Sequence, residues 1–203
     1  MEGKKLKKMH RTLRRRPLYT PLIMPVMGFV LMALAIAWYF DSRATTVVFL
    51  VRHAEKAAMP AGDPGLSDLG RERAEELARV MAMSNVNNGP DHIFVSQYRR
   101  SLGTVEPLIR DTGLPVSEYL AEDSAALVDE LLDNYRGQAV LVVAHSNTVA
   151  EIIELLGGKA PAQEMTEQDY DDLYVVGIPR FGRRQTLRFK YGRVNNSNNP
   201  IEQ

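Results

Sequence analysis

Thr45-Thr46-Val47-Val48-Phe49-Leu50-Val51 runs without a break into Arg52-His53-Ala54-Glu55-Lys56. A continuous run of β-branched and large apolar residues reads as a strand buried on both faces, as in a parallel sheet. It delivers an arginine and a histidine to its C-terminal end, where open parallel sheets bind ligands. A permanent cation beside an imidazole on a rigid element points to phosphate chemistry, with Arg52 holding the anion and His53 attacking or moving protons. One such dipeptide is common. It gains meaning only if a second arginine and a second histidine follow later strands.

Further apolar runs occur at 92–95, 139–144, 173–176 and 186–191, with a short one at 116–119. The 139–144 run is apolar throughout, as a central strand covered on both faces should be. Between the runs, helical spacing recurs. Ala74, Leu77, Ala78 and Met81 follow Ser67 as N-cap; Val128, Leu131, Leu132 and Tyr135 repeat the pattern; Val149, Ile152, Ile153 and Leu156 end at Gly157-Gly158. Residues 99–112 also read helical, with a kink expected at Pro107. The alternation predicts a three-layer α/β/α sandwich around a mostly parallel central sheet. Residues 172–191 read as two strands joined by a turn at one edge, with Arg180, Arg183 and Arg184 decorating it.

The second strand is followed by Ser96-Gln97-Tyr98-Arg99-Arg100-Ser101, the central one by His145-Ser146-Asn147. In a parallel sheet these ends share an edge, so His53, Arg100 and His145 can converge. Two guanidiniums offer bidentate contacts to a phosphate, and helix N-termini after Ser67 or Ser146 add backbone N–H donors.

The set Arg52-His53-Ala54-Glu55, Leu66-Ser67-x-x-Gly70, Ser96-x-x-x-Arg100-x-x-x-Thr104-Val105-Glu106 and Val143-Ala144-His145-Ser146-Asn147 resembles the histidine phosphatase superfamily, with its phosphoglycerate-mutase-like fold. The resemblance covers essentially all of 45–191, in order. It implies that His53 is the nucleophile that becomes phosphohistidine, and that Arg52, Arg100 and His145 bind the phosphoryl oxygens. Ala54 and Ser146 stand where the family usually has glycine. Many members place an acidic proton donor between the second arginine and the second histidine. Glu118, Glu122 and Asp123 are the candidates, Asp123 being favoured and Glu122 second, though a first-turn acid is also what a helix N-terminus favours. Lys56 and Asn147 are candidate substrate contacts, each open to an ordinary structural reading, and His92 is given no role. No metal or cofactor is implied: the chain has no cysteine, and outside the leader only His53, His92 and His145.

The N-terminus adds a second theme. Residues 1–16 hold eight basic residues against Glu2, and residues 17–40 hold no charge over 24 positions. That length suits a bilayer core of roughly 20 residues. It reads as a transmembrane signal anchor with the basic segment 1–16 in the cytoplasm. Cleavage after Ala35-Ile36-Ala37 is the alternative, against which the apolar run is long. The leader takes eight of 25 basic residues and one of 25 acids, leaving 17 against 24 and a net charge of −7, which argues against nucleic acid as a partner. Residues 41–192 then form one domain and 193–203 a polar, flexible tail. With only 44 residues between Arg100 and His145, no lid segment is expected. The chain resembles the minimal branch of small phosphohistidine and exported sugar or lipopolysaccharide phosphatases.

The expectation is therefore a metal-independent phosphatase. It hydrolyses phosphate monoesters or phosphohistidine on a small molecule or phosphoprotein, from the extracytoplasmic side of the cytoplasmic membrane. At about 3.3 Å per residue, the first strand carries His53 roughly 25 Å from the point of attachment. The competing class is a tethered, catalytically weak or inactive phosphate- or phosphoprotein-binding domain that kept the pocket.

Overall fold

The computed structural model describes residues 20–42, 45–84, 89–160, 165–166 and 168–192. It falls into two compact units, Met1–Arg43 and Ala44–Gln203. In the first, α1 (Thr20–Ser42) is a 23-residue helix containing Pro25. Its large apolar side chains from Ile23 to Tyr39 are exposed on every face. Among the described residues no helix is long and apolar enough to cross a membrane. The stretch with described side chains, 23–39, is shorter than the roughly 20 residues a bilayer core requires. The expected span at 17–40 starts outside the described residues, as do all of segment 1–16 and the tail 193–203.

The second unit is an α/β fold around one six-stranded sheet. Its elements are β1 (Thr45–Arg52), α2 (Asp68–Ala82), β2 (His92–Ser96), α3 (Arg99–Thr112), β3 (Val116–Tyr119), α4 (Ser124–Asn134), β4 (Ala139–Ala144), α5 (Val149–Leu155), β5 (Asp172–Pro179) and β6 (Gln185–Lys190). The strand order is β3-β2-β4-β1-β5-β6. The first four strands are parallel, and β5 and β6 add an antiparallel edge. The uninterrupted apolar runs lie where theory puts them: β4 is wholly buried and β1 nearly so.

Alternation of side chains along each strand feeds two cores. On one face Leu127, Val128 and Leu131 of α4 and Val149, Ile152 and Ile153 of α5 pack against Val48, Leu50, Val140 and Val142. On the other, Leu77 and Met81 of α2 and Val105 and Leu108 of α3 pack against Phe49, Val51, Leu141 and Val143. Each large side chain so buried contributes roughly 1.5–3 kcal/mol. Ser67 caps α2, its hydroxyl accepting from the Gly70 N–H at 3.1 Å. Gly70 is required by contact: a Cβ there would lie 2.2 Å from the Glu55 carbonyl oxygen. The helix α3 runs through Pro107 as one element, the residue at which the sequence predicts a kink. With Val105, Pro107 and Leu108 buried along it, packing offsets the lost backbone hydrogen bond.

Candidate active site

Parallel strands end on one edge, and the register aligns those ends: Arg52 faces Ala144, and Ser96 faces Tyr119. The residues that follow, His53, Gln97 to Arg100, Leu120 to Glu122 and His145, therefore gather in one place. A cleft of about 330 Å³ opens there, lined by Arg52, His53, Lys56, Tyr98, Arg100, Ala121, Glu122, His145, Ser146, Asn147 and Thr148. Arg52, His53 and His145 are buried despite being polar.

Each ring is held through one nitrogen. His53 Nδ1 lies 2.8 Å from the Ala54 carbonyl oxygen. A carbonyl only accepts, so Nδ1 carries the hydrogen and Nε2 keeps its lone pair. Ala54 is itself fixed, its N–H donating to Thr104 Oγ1 at 2.9 Å, while that hydroxyl donates to the Arg100 carbonyl at 2.7 Å. One threonine thus ties the loop after β1 to the first turn of α3. His145 Nε2 is 2.8 Å from Ser96 Oγ, which is 2.6 Å from Ser101 Oγ. The two histidine rings stand 5.1 Å apart, edge to face.

Each arginine is stacked on a tyrosine. The Arg52 guanidinium lies 4.1 Å from the Tyr170 ring centre, and Arg100 lies 4.1 Å from that of Tyr98. Arg52 also donates from Nη1 to the Thr166 carbonyl at 2.8 Å and from Nη2 to the Tyr170 hydroxyl at 3.3 Å. Arg100 has a looser tether, Asp63 at 3.8 Å, and its buried Nε has no hydrogen-bond partner among the described residues. Asp63 accepts from the Arg99 N–H and so caps α3. Glu55 stays out of the pocket, held by Arg73 through hydrogen bonds of 2.6 to 2.9 Å.

The acids separate cleanly. Asp123 is the N-cap of α4, its carboxylate accepting the Ala126 N–H at 3.0 Å. The residues lining the cleft do not include it, although the sequence favours it as the acid. Glu122, the second choice, lines it and accepts from Gln97 Nε2 at 3.2 Å. Glu118 is exposed on β3. Lys56 and Asn147 both reach the cleft. His92 sits away from it, its Nε2 2.9 Å from Ser117 Oγ.

Burial pushes the His53 imidazole down to about 3, reinforced by His145, Arg100 and Arg52 and opposed by the Ala54 carbonyl. Burial, then Arg100 and Arg52, lowers His145 to about 4. Both rings are neutral near pH 7, and the arginines supply the positive field of the cleft. Such a cleft can bind a small dianion and present it to the lone pair on His53 Nε2.

Sequence reasoning missed Tyr170 and the segment around Thr166, because β5 had to be placed before they could be seen to cover Arg52. Tyr98 was missed although it lies two residues before Arg100. Among the described residues, Asp169, Asp171 and Asp172 form a carboxylate group that could hold a cation. Arg188 and Lys190 already occupy it.

A sandwich whose parallel strands end in two histidines and two arginines presents a cationic cleft suited to a small anion. Residues 48–123 match the sequence profile of the Histidine phosphatase superfamily (branch 1). No curated relative matches the sequence. Among solved structures, the protein histidine phosphatase SixA complexed with tungstate is similar, at 22% identity over 71% of this chain and 96% of that one, with a TM-score of 0.55. The putative phosphohistidine phosphatase SixA from Agrobacterium tumefaciens gives 23%, 73%, 97% and 0.54. A mycobacterial glucosyl-3-phosphoglycerate phosphatase gives 18%, 72%, 99% and 0.53. At these identities the likeness establishes a shared fold. The profile match covers 76 of the 203 residues and marks that stretch as similar to the superfamily.

Proposed function

We propose that the chain is a metal-independent phosphatase that works through a phosphohistidine on His53. One observation carries the reading: Nδ1 of His53 is engaged by a carbonyl, so its nucleophilic Nε2 lone pair is available in a cleft lined by two arginines. Arg52 and Arg100 neutralise the phosphate dianion and the charge on its equatorial oxygens in the transition state. A chain in which Ser101 donates to Ser96, and Ser96 to His145 Nε2, places the remaining proton on Nδ1, as a donor to a phosphoryl oxygen. His53 Nε2 attacks phosphorus in line and the bond to the leaving oxygen breaks. Glu122 is the group that gives that oxygen its proton. Water then attacks the phosphohistidine, Glu122 takes a proton from the water, the P–N bond breaks, and phosphate leaves.

The substrate is a phosphate monoester or phosphohistidine. The names of the similar structures, a protein phosphohistidine phosphatase and a sugar-phosphate phosphatase, support both. The short α3-β3-α4 connection between Arg100 and His145 supports a site without a lid. We further propose that residues 17–40 anchor the protein in the cytoplasmic membrane, with residues 41–192 on the extracytoplasmic side. Support comes from the 24 uncharged residues, the basic segment before them and the exposed apolar side chains of α1.

The test is p-nitrophenyl phosphate turnover by the full chain in detergent, with His53→Ala as control, and capture of an acid-labile, alkali-stable phosphoenzyme. Turnover that His53→Ala abolishes is expected. Neither turnover nor phosphoenzyme between about pH 4 and 8 would favour a binding domain instead. Resistance of the chain to carbonate extraction tests the anchor.

A further inference from the structure

The end of the sheet opposite the cleft carries a cationic, aromatic tip that the phosphatase reading does not use. The strand β5 runs antiparallel to β1 with Pro179 facing Thr45, and β6 returns with Gln185 facing Gly177. The turn between them, Arg180-Phe181-Gly182-Arg183-Arg184, therefore projects past the first residue of β1, at the end where the chain enters this unit. All five residues are exposed, and Phe181 keeps 66% of its surface. Lys159 joins them: it is exposed, and its N–H donates to Thr186 Oγ1 at 3.1 Å. Arg184 uses Nη1 on the Leu156 carbonyl at 2.7 Å.

We infer that this tip is a second membrane contact, docking the phosphatase unit onto an anionic bilayer surface. Phe181 would enter the interface, and Lys159 and Arg183 would meet lipid phosphates. Four cations around one exposed aromatic, on a part of the chain with a net charge of −7, form a local patch complementary to anionic lipid. Near such a surface each cation is worth about a fivefold gain in binding, and an aromatic on a basic surface adds apolar insertion. A second copy would bring the same cations and the same net charge, which disfavours it. The inference rests on the anchor reading, because the polypeptide reaches Thr45 from the apolar segment. With β1 spanning about 25 Å, the docked unit would hold its cleft away from the lipid.

The chain has no cysteine, so single probes can be placed at will. Full-length protein carrying Phe181→Cys or Ile36→Cys, each labelled with an environment-sensitive fluorophore, is reconstituted in brominated phosphatidylcholine with and without phosphatidylglycerol. The proposal expects position 36 to be quenched in both lipids and position 181 only when phosphatidylglycerol is present. Adding Arg183→Glu, a change of two charges, should lower the docked-to-free ratio about 30-fold. Quenching at 36 with none at 181 in either lipid overturns the docking while keeping the anchor. Quenching at 181 without 36 overturns the anchor and keeps the docking. A signal at 181 that follows protein concentration rather than lipid composition assigns the tip to a second copy and overturns the proposal.

Discussion

At its C-terminal end β1 hands over Arg52 and His53, 3% and 5% exposed, to a cleft in which each guanidinium is stacked on a tyrosine and each imidazole is fixed through one nitrogen. At its other end, beside Thr45, the hairpin leaves Arg180, Phe181 and Arg183 in solvent. The contrast follows from the two kinds of target. A phosphoryl group in flight has fixed geometry, so the groups meeting it must be held in place beforehand. A charged lipid surface has no fixed geometry, so exposed cations serve it as well.

The comparison breaks first if the buried end is not a reaction centre. His53→Ala should abolish phosphoenzyme and lower turnover about 10⁴-fold or more, as loss of a nucleophile does. Wild-type turnover in that variant, measured on p-nitrophenyl phosphate, would move the chemistry elsewhere. Arg100→Ala should cost about 10²- to 10³-fold in kcat/KM. Arg100→Lys should recover only part of it, because a point charge cannot reproduce the planar fork stacked on Tyr98.

Glu122→Gln and Asp123→Asn sharpen the picture within one loop. Removing a general acid costs about 10²-fold in kcat and falls hardest on substrates with poor leaving groups, while p-nitrophenyl phosphate suffers less. Asp123→Asn should leave kcat intact, since asparagine also caps helices well. The opposite pattern would restore Asp123 as the acid.

These adjacent acids show where sequence legibility stops. Strand ends, the Ser67 cap, the edge hairpin and the grouping of Arg52, His53, Arg100 and His145 follow from patterns of period 2 and 3.6 and from the rule that parallel strands end together. Glu122 and Asp123 differ by one residue, and only the turn into α4 decides which faces the cleft and which caps the helix. The segment holding Arg52 was illegible for another reason. Thr166 and Tyr170 lie over 110 residues away in sequence, and no local periodicity announces such a contact.

The neutral histidines make the buried end costly in acid. Each unfolds to an ordinary value near 6.5 and is held lower in the fold, so the unfolded chain binds more protons as pH falls. Stability present above pH 6.5 is lost below it, down to about 4 for His145 and about 3 for His53. The slope is about 1.4 kcal/mol per pH unit for each ring. Urea unfolding between neutral and mildly acidic pH should show this, and tungstate should flatten it by stabilising the charged rings. A slope unchanged in His145→Gln would mean that this ring is not held neutral.

The smallest expected effect tests whether the two ends are independent. The helix α5 begins just after His145 and Asn147 at the cleft, and its last carbonyls lie at the hairpin end, where Arg184 Nη1 reaches the Leu156 oxygen at 2.7 Å. A charged donor on a helix C-terminus is worth about 1 kcal/mol when partly exposed. Arg184→Ala should therefore lower Tm by about 3 °C. The N-terminal turn of α5 is separately fixed by the Thr148 hydroxyl, which accepts the His145 N–H at 3.1 Å, and by β4 beneath it. Turnover of p-nitrophenyl phosphate should then be unchanged. A fall in kcat at a temperature where the variant is fully folded would show that α5 transmits strain from one end of the sheet to the other, and the two ends would have to be read as one device.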